Sequence, residues 1–246
     1  MGEAGDARAE RDRPLGPEGG SSAAPPANPR RLTLVVGGFL LVLASVLVLA
    51  AISAVVWTNE ADALDAAATP LLHALSSPAL DAVANTASFV GTDAVLAIGI
   101  GILMLVLVLA RRRREASFLV VVIAGSVLVN GAMKVFFHRA RPSLAWARVP
   151  PDYSFPSGHA MNSMAVVLAL AVVAWQLGGK RVGMAALLVG VAVSLVIGAS
   201  RVYLGVHYLT DVIGGYAAAI LWVALVVAAF RPAGWRERAE ARHPGT

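Results

Sequence analysis

Apolar residues in this chain come in long unbroken blocks, not in the alternating or three-to-four spacing of half-buried elements. Six blocks stand out, at about 32–57, 93–110, 117–134, 158–177, 182–199 and 212–230. A run of about 20 apolar residues, helical at about 1.5 Å per residue, matches the hydrocarbon thickness of a bilayer. The pattern predicts an all-α chain, an integral membrane bundle of six transmembrane helices. The block at 93–110 is short, and its span can begin before Asp93. The first block lies far from the N-terminus and is long enough to span, so it reads as a retained helix and not a secretory leader. Core helices of a soluble protein would also be apolar, but six of them leave too little polar sequence to cover them.

The segments between the blocks divide the chain. Residues 1–30 are rich in Gly, Ala, Pro and charge with no apolar period, which predicts a disordered tail. Residues 31–231 form the helical domain, and 232–246 a second tail. Residues 58–92 carry Glu60, Asp62, Asp65 and Asp81 without any Lys or Arg. Spaced apolar residues there (Leu64, Leu71, Leu72, Leu75, Leu80, Val83) fit short amphipathic helices on the membrane, or a loop with apolar anchors.

Composition sharpens the membrane reading. Charged residues make up 14% of the chain, against about a quarter in soluble domains. The net charge of +5 does not indicate nucleic acid, because the Lys and Arg sit at the ends of apolar blocks. No cysteine is present, which excludes disulfides and thiolate metal sites.

Charge also orients the bundle. Fifteen of the 20 Lys and Arg fall on one side if the helices alternate: the N-terminal tail, Arg111 to Arg114, Lys180 and Arg181, and the C-terminus. The positive-inside rule makes that side, and both termini, cytoplasmic. Lys134, Arg139, Arg141, Arg148 and Arg201 fall on the other side. Cations that break the rule beside a membrane face need a functional reason.

Most of them sit beside other chemistry-bearing residues at helix ends. Lys134 closes the third block, with Arg141 and Pro142 just beyond it. Pro156-Ser157-Gly158-His159 opens the fourth, Ser200-Arg201 ends the fifth, and His207 and Asp211 introduce the sixth. Alternation brings all of these to one membrane face. Arginine grips two phosphate oxygens at once, and a helix N-terminus offers free N–H groups and positive potential. Ser157 is placed to cap its helix, and Gly158 lets an oxygen approach the backbone. Lys134, Arg141, Ser157, Gly158 and Arg201 read as a phosphate cradle. His207 and Asp211 are four apart, so Asp211 could hold the Nδ1 proton and leave Nε2 free to attack phosphorus. His159, beside the cradle, could protonate the leaving oxygen and later activate water.

These residues spell K-x6-R-P (Lys134, Arg141, Pro142), P-S-G-H (Pro156 to His159) and S-R-x5-H-x3-D (Ser200, Arg201, His207, Asp211). In this three-part signature the chain resembles the PAP2 superfamily of type-2 phosphatidic acid phosphatases, over about residues 31–230. The resemblance implies a multi-pass protein of the cell membrane with its site on the extracytoplasmic face. It implies a lipid phosphate or pyrophosphate substrate, hydrolysis through a phosphohistidine, and neither cofactor nor metal. His207 would be the nucleophile, Asp211 its partner, His159 the acid and base, and the cradle residues the phosphate ligands. Polyprenyl pyrophosphate is the first candidate, with phosphatidylglycerol phosphate and phosphatidic acid beside it. Surplus cations such as Arg139 and Arg148 would suit a pyrophosphate. The signature is shared with vanadium haloperoxidases, so peroxidase chemistry is one alternative, and a non-enzymatic lipid transporter or scaffold is another. The partners are the bilayer and the lipid; no nucleic acid is expected, and the sequence admits a homo-oligomer.

Other residues read more plainly. Arg139 and Arg148 read first as solvated loop residues. Asp152 and Tyr153 either touch substrate or shape the loop. His73, His138 and His243 read as structural, Ser126 and Asn130 as helix packing, and Trp57, Trp222 and Trp235 as interfacial or packing residues. Asp211 or Thr210 could also cap the last helix.

Overall fold

The computed structural model describes residues 29–58, 60–144 and 146–230, with side chains from residue 36 onward except 62–64. The expected tails, apart from Pro29 and Arg30 at the start of the first helix, lie outside these residues, as do His243 and Trp235. The chain separates into two units, Met1–Gly38 and Phe39–Thr246. The account below concerns the second.

Seven helices and no strand are found among the described residues: α1 (Pro29–Trp57), α2 (Asp62–His73), α3 (Pro78–Val90), α4 (Asp93–Leu109), α5 (Arg113–Phe137), α6 (Gly158–Tyr203) and α7 (Leu209–Ala229). Four are long and apolar enough to cross a membrane: α1 from Val36, α5, α6 and α7. The bent pair α3 and α4, at 53°, makes a fifth if it counts as one span. The early start expected for the short block at 93–110 takes this form. Within 58–92 lie the two helices α2 and α3, with Ser77 capping α3 through Leu80 N and Pro78 in its first turn.

The 46 residues of α6 would measure about 70 Å as one rod, more than twice a hydrocarbon core. The helix instead breaks at Gly179, whose φ of 79° and ψ of −177° only glycine adopts readily. The halves then run back along each other. Ser163 and Ser194 join their hydroxyls at 2.8 Å. Gly183 lies against Trp175, and Gly190 against Val167. This hairpin returns the Tyr203 end of α6 to the level of its Gly158 end, as the two separate apolar blocks foretold.

The core is a seam where α5, α6 and α7 meet, built on Phe118, Leu119, Val122, Met161, Ala165, Ala219 and Val223. Trp222 fixes the α5–α7 contact by donating Nε1 to Val122 O at 2.9 Å, with its ring on Gly125. Phe39, Leu47, Ile98, Leu128, Leu188, Val189 and Leu225 face outward and exposed. An exposed apolar jacket of this extent suits lipid as solvent.

Candidate active site

Three chain segments meet where α5, both ends of α6 and the start of α7 come together. Backbone bonds fix their order: Ser157 N donates to Asp211 O at 3.0 Å, Ser154 N to Arg139 O at 2.8 Å, and His207 N to Arg201 O at 3.2 Å. Asn130 of α5 donates to Pro156 O at 3.2 Å, which ties the third block to the helix start. The Phe155–Pro156 peptide is cis.

Between these segments lies a cavity of about 350 Å³ lined by Lys134, Arg141, Gly158, His159, Arg201 and His207. Four of the five predicted cradle residues and both predicted histidines therefore meet; Ser157 is buried behind the cavity wall and does not line it. Asp93, Asn130 and Asp152 also line it.

His207 is 1% exposed, with its two nitrogens in different company. Nδ1 lies 3.3 Å from Asp211 Oδ2. Nε2 lies 3.0 Å from Arg141 Nη1. Four donors converge on Asp211: His207 Nδ1, the Ser154 hydroxyl, Tyr208 N at 2.9 Å and Arg139 Nη1 at 2.7 Å. Only a carboxylate can accept from all of them. With Nδ1 the donor, Nε2 carries the lone pair. Burial pushes the His207 imidazole down to about 4, a fall that Asp211 opposes and that Arg141 and Arg201 reinforce. The ring is neutral at pH 7.

Lys134 and Arg141 share one counter-ion. Asp152 takes Arg141 Nη2 at 2.6 Å and the Lys134 ammonium on its other oxygen. Burial raises the carboxyl of Asp152, but the two cations outweigh it and hold it at about 2. Arg201 donates to the Ser88 hydroxyl. Three buried polar atoms here have no protein partner: Ser157 Oγ, His159 Nε2 and Arg201 Nε. Buried polar groups are seldom left so unless a ligand completes them.

Several residues depart from expectation. Ser157 holds the N-cap backbone position of α6, yet its hydroxyl makes no cap bond. Thr210 does not cap α7 either; its N–H and hydroxyl go to Asp65. Arg139 is not a solvated loop residue. Its side chain is 10% exposed and bridges Asp211 and Asp65, each at 2.7 Å. Burial lowers its basicity, but the two carboxylates, Asp211 foremost, raise it further and keep it charged. Arg148 is exposed, as expected. His73 stacks on Trp146, His138 packs on Tyr153, and Trp57 stacks on Phe136, all structural roles. Ser126 bonds Asn162 at 2.7 Å, which is packing. Asn130 packs and also reaches the cavity. Sequence reasoning missed Asp65 and Asp93 altogether. Their one signal was an acid inside or beside an otherwise apolar stretch.

Comparison with known proteins identifies the family. The PAP2 superfamily model matches residues 115–235, which contain the whole signature. Phosphatidylglycerophosphatase B of Bacillus subtilis is 30% identical over 178 residues, covering 71% of this chain and 87% of that protein. The chain belongs to the PAP2 superfamily. The undecaprenyl-diphosphatase of Sulfolobus acidocaldarius is 32% identical over 104 residues, 41% of this chain and 45% of its own. The crystal structure of a transmembrane PAP2-type phosphatidylglycerolphosphate phosphatase from Bacillus subtilis superposes with a TM-score of 0.71. Identity there is 26%, over 76% of this chain and 94% of that one. LpxE of Aquifex aeolicus shares the fold, with a TM-score of 0.55 at 22% identity over 67% of this chain and 95% of its own. As a PAP2 protein the chain is a membrane lipid phosphatase, with several spans in the bilayer. Both curated relatives are phosphatases, so the peroxidase and transporter readings gain no support.

Proposed function

We propose that the chain hydrolyses a lipid phosphate through a phosphohistidine on His207. One observation carries the reading: His207 Nδ1 meets Asp211 at 3.3 Å while Nε2 borders a cavity walled by Lys134, Arg141 and Arg201. Asp211 holds the Nδ1 proton, so the Nε2 lone pair attacks phosphorus. The bond from phosphorus to the lipid oxygen breaks, and His159, which binds a proton once the phosphate's negative charge lies beside it, gives that proton to the leaving oxygen. His159 then takes a proton from water, whose oxygen attacks phosphorus. The P–N bond breaks, His207 returns to its starting form, and phosphate leaves. Lys134, Arg141, Arg201, Ser157 Oγ and the N–H groups at the start of α6 hold the phosphoryl oxygens as charge builds on them. Asp152 must give up Lys134 and Arg141 when phosphate arrives. Pro142, Pro156 and Ser200 shape the three segments.

Among substrates, a glycerophospholipid phosphate monoester ranks ahead of a polyprenyl pyrophosphate. The pyrophosphate reading drew on Arg139 as a spare cation, and Arg139 is committed to Asp65 and Asp211. The longer similarity is also to the phosphatidylglycerophosphatase. Counting α6 twice and α3–α4 once gives six spans, with both termini cytoplasmic and the site outside; residues 31–231 form the catalytic domain. The chain has no cysteine, so single introduced cysteines report sidedness cleanly.

Purified protein in chelator should release phosphate from phosphatidylglycerol phosphate, phosphatidic acid and a polyprenyl pyrophosphate, fastest from the first. His207→Ala and His159→Ala should each abolish release. Full activity in His207→Ala would sink the mechanism, and a preference for the pyrophosphate would reverse the substrate order.

A further inference from the structure

α2 buries the wrong face for a helix that merely rests on a membrane. Asp65 and Thr69, one turn apart, are 1% and 3% exposed, while Leu71 is 71% exposed. The helix packs against α6 and α7, and Asp65 is what it delivers there. Its carboxylate accepts from Arg139 Nη2 at 2.7 Å, Thr210 N at 3.1 Å and the Thr210 hydroxyl at 2.6 Å. Arg139 Nη1 reaches both Thr210 Oγ1 and Asp211 Oδ1 at 2.7 Å, and its guanidinium lies 4.2 Å over the Tyr208 ring. Neither Asp65 nor Arg139 lines the cavity.

We propose that Asp65 and Arg139 are positioning residues that aim and charge-balance Asp211 behind His207; the proposal rests on His207 being the nucleophile. Two features argue for it. Arg139 occupies Asp211 Oδ1, which leaves Oδ2 for His207 Nδ1. Two carboxylates and one guanidinium also leave one net negative charge behind the imidazole. Without Asp65, Arg139 would cancel Asp211 and His207 would face no net charge. Without Arg139, two carboxylates would crowd it. Stability alone explains little, because a buried ion triad gains no more than apolar packing of the same volume.

The other charged or titratable groups facing His207 are Arg141 beside Nε2, Arg201 and His159 of α6, and Lys134, Asp93 and Asp152 around the cavity. These stay constant across substitutions at Asp65 and Arg139, so a shifted pH profile reports the triad. The test is the pH dependence of kcat/KM for the full chain in detergent on short-chain phosphatidic acid. Arg139→Gln should move the acid limb upward by about one pH unit, because a second unpaired carboxylate favours the protonated ring. Asp65→Asn should lower kcat with KM unchanged and no upward shift. Asp65→Asn with Arg139→Gln restores one net negative charge, so its acid limb should return toward that of the parent. The double variant also removes one of the two buried carboxylates that Arg139→Gln alone leaves without a cation. Acid limbs identical in all three, with activity lost only in proportion to folded protein, would overturn the proposal. Full activity in His207→Ala would overturn the nucleophile reading beneath it.

Discussion

Asp152 sits where phosphate should bind, and removing its charge tests that competition. Its carboxylate takes Arg141 Nη2 at 2.6 Å and the Lys134 ammonium, and it stays ionised down to pH of about 2. A charge-assisted bond nets about 1.5–3 kcal/mol when buried. The Asp152 side chain is 49% exposed, and exposed pairs contribute about 1 kcal/mol or less. The two contacts together then cost an arriving phosphate about 1–2 kcal/mol, or roughly 5- to 30-fold in affinity. Asp152→Asn keeps the shape and the backbone bond from Arg141 Nε to the residue 152 carbonyl, at 3.0 Å. It should lower KM for a lipid phosphate and the inhibition constant of inorganic phosphate by that factor, with kcat nearly unchanged. Steady-state phosphate release in chelator, with and without added phosphate, reads both constants. A raised KM with an unchanged inhibition constant would refute competition and make Asp152 a holder of Lys134 and Arg141.

Three further outcomes follow from particular contacts. The folded His207 binds its proton near pH 4 and the unfolded one near 6.5, so the unfolded state holds more protons between them. This group's stabilisation is complete above about pH 6.5 and declines by about 3 kcal/mol as pH falls to 4, readable as a falling unfolding midpoint in detergent. Gly125→Ala puts a Cβ 1.9 Å from the Trp222 ring. It should destabilise by about 1–3 kcal/mol in thermal unfolding without changing turnover per folded molecule. Gly91→Ala puts a Cβ 2.4 Å from Ile197 and 3.1 Å from the His159 ring. Displacing that ring should cut kcat about 10- to 100-fold while KM holds, and an unchanged kcat would mean that Ile197 yields instead.

Much of the site was legible because its residues cluster in short stretches at helix ends, where charge breaks the positive-inside pattern. Lys134, Arg141, His159, Arg201 and His207 needed only alternation of spans to meet. The break at Gly179 was legible as a polar gap between apolar blocks. Asp65 and Arg139 were not, because their pairing joins residues 74 apart. An acid on a short amphipathic helix reads as facing water, and only tertiary packing turns it inward. Asp152 was half legible: its place before P-S-G-H suggested a role, but nothing local showed that it binds two cradle cations. The helix count differed for a similar reason. Residues 58–92 looked peripheral, yet α3 bends into α4 and α2 is packed against the site.

The phosphohistidine is the central claim, and trapping it is the most direct measurement. Protein mixed with a lipid phosphate carrying radiolabelled phosphorus, quenched within one turnover in alkaline denaturant and digested, should carry label on the peptide containing His207. Asp211→Asn should slow its appearance, and His207→Ala should carry none. Label that persists in His207→Ala, or that maps to another residue, would contradict the account.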